Sequence, residues 1–522
     1  MAENTIPGVK EVREVPVRAS SYLTPSKCCV WFLSAVLTMT LLPILWAAAE
    51  STPDRGHTDN SSPAKNLKIN LDSAINVRLP AITRDLKPAE FRTTDGKGGW
   101  VIRIPGAHPI ATPAYADGLL FVGGGYGSHE FYAFNAKTGE VAWKISTSDD
   151  GPTAAVVDAG YVAFNTESCT VIVVDEKSGK VVWQEWLGDP LMSQPAISSG
   201  KLFIAYPAGQ RSPKHQNTGS PLKPAHQGNV LLAVDLKTGK HLWEQEIPTD
   251  VISAPVVSGD RVYVTCFDGT SLAFETSSGR VVWKKKGAAT SAPIAVDNHV
   301  ILTRKQQNGE KLYEGLARID AQKGEDEDKE LLAKGNADYL GKEQGGGVAI
   351  AGEAQKSLDS SVGFASAPAA AKLSAANENV GVQSVVGGWA YQGSRAAYSN
   401  GAVFNAQGQS LNSVSAKDGR SQWKAEINGS KVNANAQVFS PPALGRDYIY
   451  LSSSQGHLLS VRQKDGEVGF AYSFKKPMIF QPALVDGNVY VGTSDGLLIC
   501  LKTNGKDADG WYEWGGNPQH NK

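Results

Sequence analysis

Val230-Leu231-Leu232-Ala233-Val234-Asp235-Leu236-Lys237-Thr238-Gly239-Lys240-His241-Leu242-Trp243 is the stretch on which the reading of this 522-residue chain turns. It is an apolar run, a small residue two before an acid, a Thr-Gly turn, and a Trp four residues after the glycine. Close variants stand at Ala133…Asn135…Thr138-Gly139…Trp143, Asp175…Ser178-Gly179…Trp183, Ala273…Glu275…Ser278-Gly279…Trp283 and Ser413…Ser415…Asp418-Gly419…Trp423. Weaker copies end at Gly324, at Gly466 (with Phe470 in the Trp position) and at Gly505. The eight turn glycines are 40, 60, 40, 45, 95, 47 and 39 residues apart. A recurring unit of this length signals a propeller, a solenoid or an array.

Each unit opens on a small-residue/Pro pair such as Gln194-Pro195, Ala254-Pro255, Ala292-Pro293 or Gln481-Pro482. Apolar runs follow, separated by Gly/Asp/Asn turns, as in Arg261–Thr265 before Asp268-Gly269 and Asn488–Gly492 before Asp495-Gly496. Short Val/Ile/Tyr/Phe runs bounded by turn residues read as antiparallel strands, and the last turn takes glycine because hairpin loops of this length need a residue at positive φ. Four strands make one blade. A blade has two apolar faces, so it must stack on neighbours, and closing the ring leaves no unprotected end. One large indole per blade, at the outer strand, packs against the next blade, and such burial contributes about 2–3 kcal/mol. Trp143, Trp183, Trp243, Trp283 and Trp423 are therefore read as structural docking residues.

The phrase A-x-D-x-x-T-G-x-x-x-W resembles the tryptophan-docking repeat of the quinoprotein-like propellers. That family includes the pyrroloquinoline-quinone (PQQ) alcohol dehydrogenases and the non-catalytic propeller of the outer-membrane assembly machinery. The resemblance covers about residues 100–516 and implies an all-β, eight-bladed quinoprotein-like β-propeller. It says less about function, because unrelated activities share a fold.

The alcohol-oxidising members would require a calcium site, a catalytic aspartate and an adjacent cysteine pair beside the quinone. The adjacent cysteines here, Cys28 and Cys29, lie in an N-terminal hydrophobic segment, and the remaining three (Cys169, Cys266 and Cys500) are scattered over separate blades as buried thiols. No C-x-x-C-H haem motif occurs, and the nine histidines show neither H-x-H nor H-E-x-x-H spacing. Gly123-Gly124-Gly125-Tyr126-Gly127 follows a strand, lacks the Lys-Ser/Thr ending of a phosphate loop, and reads as an inter-strand loop. No catalytic, cofactor-binding or metal-binding residue is assigned. A PQQ-dependent dehydrogenase is the alternative reading, and a propeller whose mouth binds carbohydrate or a small ligand is a third.

Lys and Arg number 51 against 52 Asp and Glu, a net charge of −1, which argues against a chain-wide footprint for nucleic acid. Residues 1–27 read as a short cytoplasmic n-region. Residues 28–49 are uncharged, long enough at ~1.5 Å per residue to reach across a ~30 Å hydrocarbon core, and end in Ala47-Ala48-Ala49. They read either as a signal peptide or as a transmembrane anchor, and both place the propeller outside the cytoplasm, in the periplasm, secreted, or held at the inner membrane. Thr24-Pro25-Ser26-Lys27 before Cys28 departs from a lipobox. Residues 50–99 read as a flexible linker whose second half, Leu67 to Phe91, has apolar residues enough to dock. Residues 517–522 read as a tail.

Two insertions lengthen the repeat. Residues 207–228 fall inside the third blade and carry Arg211, Lys214, His215, Lys223 and His226 with no acid, a candidate contact for an acidic partner. Residues 335–388 are Ala/Gly/Ser-rich and too poor in large apolar side chains to form a blade. Ring closure is expected from a strand near Trp100–Ile104 paired into the last blade, which ends near Trp511 and Trp514. The function expected is that of a non-catalytic scaffold binding protein partners.

Overall fold

The middle strands of each repeat are apolar without alternation. Tyr161–Asn165 and Thr170–Asp175 are buried at nearly every position, whereas Val141–Ser146, a fourth strand, alternates. That pattern requires sheets covered on both faces in the middle and bare at the outer edge. The computed structural model describes residues 65–125, 127–166, 170–187, 193–208, 228–336, 396–429 and 439–521, and among these it forms eight antiparallel-cored sheets of four or five strands. In chain order the blades span residues 114–146, 156–186, 196–247, 256–285, 294–336, 396–428 and 443–473, and the eighth combines 483–502 with 98–103. We number them 1 to 8.

Each blade's innermost strand meets that of the next, and Ala483–Val485 of blade 8 meets Ala114–Ala116 of blade 1, so the ring is closed. Closure uses the expected strand: Gly98–Arg103 pairs antiparallel with Leu497–Lys502, in a register from Leu497↔Arg103 to Lys502↔Gly98. Connections between first and second and between third and fourth strands are tight turns on one face. Those between second and third strands, and from blade to blade, emerge on the other.

Three boundaries differ from the sequence reading. Residues 65–99, expected within a flexible linker, are an outer strap. Lys65–Asn70 adds in parallel to Ser421–Asn428 of blade 6, Ile75–Asn76 adds in parallel to Val468–Ser473 of blade 7, and Ala89–Arg92 pairs with Gly98–Arg103 of blade 8. The edge strands offer unpaired backbone groups, and Ile69, Leu71, Val77 and Phe91 are buried in one cluster with Trp423, Ile427, Tyr472 and Phe474. Residues 517–521, expected as a tail, lie inside the ring: the Ile197 and Val257 amides donate to the Pro518 and Gln519 carbonyls at 2.8 and 2.9 Å. Gly335 and Asn336, expected to start an insertion, belong to the fourth strand of blade 5, Leu332–Asn336. The n-region, the hydrophobic segment and residues 50–64 lie outside the described residues, as do 209–227 and 337–395.

Candidate functional site: the blade junctions and the filled channel

The repeated phrase builds a turn first. Asp235 Oδ1 accepts from the Thr238 amide (2.8 Å) and hydroxyl (2.6 Å), and the Gly239 amide donates to the Asp235 carbonyl (2.9 Å). Asp175 and Ser178 repeat the arrangement at 2.9 and 2.6 Å. These hydrogen bonds, the hydroxyl first, hold the Asp235 and Asp175 carboxyls below the usual carboxylate range. A one-residue bulge follows, because Ala233 pairs with Trp243 while Val234 pairs with His241. Leu242 is the extra residue and faces solvent. The bulge brings Trp243 opposite Ala233, and Ala133 and Ala273 oppose Trp143 and Trp283 in the same way. The small residue two before the acid thus makes room for the ring.

Each indole then crosses to the next blade. Nε1 of Trp143, Trp183, Trp243, Trp283 and Trp423 donates to the carbonyl of Glu176, Leu236, Thr276, Ala321 and Gln463, at 3.0, 2.7, 3.1, 2.9 and 2.9 Å. Every acceptor is the residue after the turn's first position in the following repeat. The ring lies on that repeat's glycine: a Cβ on Gly179 would stand 2.6 Å from Trp143, and one on Gly279 2.5 Å from Trp243. With φ of +67° and +70°, these glycines are required by both backbone and space. Trp283 and Trp423 are buried, while Trp143, Trp183 and Trp243 are partly exposed at the rim.

Three junctions lack this bond and solve the contact differently. Between blades 5 and 6, Leu332 fills the ring's place against Gly419, and Arg318 takes over the polar contact. Its Nη1 donates to the carbonyls of Ala416 and Lys417 at 2.8 and 2.9 Å, while Asp328 holds it through two hydrogen bonds of 2.8 Å. Ala416 occupies the position that accepts an indole elsewhere. Between blades 8 and 1, Trp100 packs on Gly139 but its Nε1 has no partner, and the Tyr490 hydroxyl donates to Ala136 instead, at 3.0 Å. At the blade 7–8 junction Phe470 meets the outer strap, with Lys97 Nζ 4.7 Å from its ring and the neighbouring Tyr472 hydroxyl donating to Asp95 at 2.6 Å. Sequence reading missed Arg318 and Tyr490 and, although it placed Trp100 on the closing strand, missed its docking role, since none stands in the repeat's Trp position of a recognised copy.

Residues 511–521 run along the innermost strands of blades 8 and 1 to 4. Trp511, Glu513, Trp514 and His520 are each 1–2 % exposed. The Val157 amide donates to Glu513 Oε2 (3.1 Å), and burial keeps this carboxyl protonated far above the usual range. His520 stacks on Trp514 with ring centroids 3.5 Å apart, bonds the Pro255 carbonyl through Nδ1 (3.3 Å), and is held neutral by burial, down to about 3. Among the described residues no three His, Cys, Asp or Glu side chains are grouped to hold a metal ion. Cys266 and Cys500 are separate buried thiols; burial pushes Cys500 up to about 12. Arg211, Lys214, His215, Lys223 and His226 lie outside the described residues. Their connection springs from the face opposite the tight turns, where the Ala208 amide closes its base on the Gly228 carbonyl at 2.9 Å. The same face carries a long hairpin of blade 5, His299–Asn308 and Lys311–Asp320, whose two-residue turn Gly309-Glu310 opens on a glycine at positive φ, a hairpin signal in the sequence.

A family model described as outer membrane protein assembly factor BamB matches residues 89–211, 218–339 and 381–508. Outer membrane protein assembly factor BamB of Nitrosomonas eutropha is 25% identical over 36% of this chain and 54% of its own length, so the chain spans about half of that relative. A tetrathionate hydrolase of Acidithiobacillus ferrooxidans is 26% identical over 38% of this chain and 42% of that protein. The crystal structure of BamB from Moraxella catarrhalis superposes with a TM-score of 0.48 at 12% identity, covering 79% of this chain and 98% of that one. With three stretches of repeats matched, the chain belongs to the PQQ-repeat β-propeller family whose model carries the BamB description.

Proposed function

We propose that this protein is a non-catalytic, extracytoplasmic scaffold that binds protein partners in outer-membrane protein assembly. The observation that supports the reading is that residues 511–521, with buried Trp511, Trp514 and His520, cover the innermost strands of blades 8 and 1 to 4, where a propeller would otherwise offer a small ligand bare backbone groups. The relatives named as assembly factors support the same direction. What remains for recognition is the outer surface, above all the face bearing the blade 5 hairpin and the base of the basic connection. In sequence, the connection carries Arg211, Lys214, His215, Lys223 and His226 and no acid, a composition suited to an acidic surface. The hydrophobic segment 28–49, if retained, holds the ring at the membrane.

The test is a pull-down of outer-membrane assembly components with the full chain and with Arg211→Glu/Lys214→Glu/Lys223→Glu, across a salt series. Capture that weakens with the reversal, and weakens further in salt, is expected, since exposed charges are screened over ~8 Å at physiological ionic strength. Equal capture by both chains removes these three residues from the interface, and no capture by either removes the scaffold reading. The similarity to a tetrathionate hydrolase favours a second, enzymatic reading. Turnover of tetrathionate by the purified chain, or a bound quinone in its extract, would replace the scaffold with it.

A further inference from the structure

Each innermost strand of blades 1 to 4 and 8 is three residues long, and its middle amide points to the axis: Tyr115 in Ala114–Ala116, Val157 in Val156–Asp158, Ile197 in Ala196–Ser198, Val257 in Val256–Ser258 and Leu484 in Ala483–Val485. The C-terminal segment answers all five. Leu484, Tyr115, Ile197 and Val257 donate to the carbonyls of Trp511, Tyr512, Pro518 and Gln519 at 2.7, 2.7, 2.8 and 2.9 Å, and Val157 donates to the Glu513 carboxyl at 3.1 Å. The Asn521 side chain returns a bond to the Val257 carbonyl at 2.8 Å. Upstream, the segment is tied down where Arg446 and Gly487 donate to Asp507 and Ala508 at 3.1 and 2.9 Å. Between these contacts the segment folds on itself, the Gly516 and His520 amides donating to the Glu513 and Asn517 carbonyls at 2.9 Å each, so it meets the ring at intervals, mostly through backbone groups.

The segment is nonetheless poorly satisfied inside. Among the described residues, Nε1 of Trp511, Nε1 of Trp514 and Nε2 of His520 are buried with no hydrogen-bond partner, all within ten residues. A buried polar atom without a partner favours any state in which water reaches it. Local opening of the segment, without the rest of the fold, would let water reach all three. We propose that the inward amides of blades 8, 1, 2, 3 and 4 form a groove for a peptide that touches it at intervals between its own turns, and that Trp511–Asn521 is a releasable strap occupying it in cis. The groove crosses the seam between blades 8 and 1, so the strap also latches the ring from within, opposite the outer strap on blades 6 to 8.

Hydrogen exchange on the full chain tests this. The segments holding Tyr115, Val157, Ile197, Val257 and Leu484 are expected to exchange together, at least tenfold faster than the second strands of the same blades. Trp514→Ala should accelerate all five a further tenfold and leave those second strands unchanged. In a chain ending at Gly510, a synthetic peptide of residues 511–522 should restore their protection at one peptide per chain, and a peptide with Glu513→Lys should not. If that shortened chain does not fold, the full-length comparison decides. Exchange of the five segments at the rate of the second strands, in both the unaltered chain and Trp514→Ala, overturns the proposal and makes the segment an integral part of the core. Failure of the scaffold reading would leave this result untouched.

Discussion

Replacing Trp423 is the sharpest test of the junction geometry. Its side chain is 1 % exposed, it opposes Ser413 across the hairpin, its ring stands 6.1 Å from that of Phe404, and its Nε1 donates to Gln463 of blade 7 at 2.9 Å. Lys65 of the outer strap pairs beside it. Trp423→Ala therefore removes a fully enclosed ring from between two blades and loosens the strap, a loss of about 3–5 kcal/mol. Trp423→Phe keeps most of the apolar volume but leaves the Gln463 carbonyl without its donor, a loss of about 1–2 kcal/mol. Propellers with many blades depart from two-state unfolding, so the measurement is local hydrogen exchange over His457–Gly466, supported by urea denaturation. With 1.4 kcal/mol per tenfold, the alanine variant should accelerate exchange there by about two decades or more and the phenylalanine variant by about one. Equal effects of the two, or no change at Gln463–Gly466, would refute the reasoning that the indole docks one repeat on the next.

The blade 5–6 junction should accept a swap: Arg318→Met alone destabilises by roughly 3 kcal/mol, because it strips Ala416 and Lys417 of their donor and leaves Asp328 uncompensated. Adding Leu332→Trp should recover much of that loss if the position works as it does in other blades; no recovery in chemical denaturation would show that Arg318 has another task. Tyr490→Phe should cost about 1 kcal/mol by freeing the Ala136 carbonyl, read as faster exchange near Gly139. The two buried titrating groups of the axis act with opposite signs. Glu513 has a raised folded value, so it lowers stability increasingly as pH rises past its unfolded value near 4.5, and Glu513→Gln should melt higher than the unaltered chain at pH 8 but not at pH 4. His520, depressed to about 3, withdraws stability as pH falls from about 6.5, by about 1.4 kcal/mol per unit, so His520→Gln should flatten the acid limb of the melting curve. Excising residues 210–226 with a short Gly-Ser join should leave Tm nearly unchanged, because Ala208 and Gly228 already close the base.

Residues close together in sequence and repeated eight times told most of the fold. The Asp235-to-Trp243 phrase specifies a turn, a bulge and a docking ring through contacts within eleven residues, and its recurrence at Gly139, Gly179, Gly279 and Gly419 dictates blades that must stack and close. The closing strand at Trp100 was legible for the same reason: an apolar run without its own repeat needs a sheet. The two straps were not. The apolar residues from Leu67 to Phe91 marked that stretch as able to dock, but Lys65–Asn70 is recognised by the edge of a strand over 350 residues away, through backbone groups that every residue carries, so which edge it joins leaves no signature in side chains. Residues 517–521 resemble a polar tail, yet inward amides of blades 3 and 4 bind them by the same means. Arg318 and Tyr490 replace an indole from different strands at two junctions, and only the ring's geometry brings them to the equivalent carbonyls of Ala416 and Ala136. Local hydrogen bonding and burial period are written in sequence. Which distant edge a segment completes is decided by where the closed ring leaves amides and carbonyls unpaired, and that exists only once the blades have assembled.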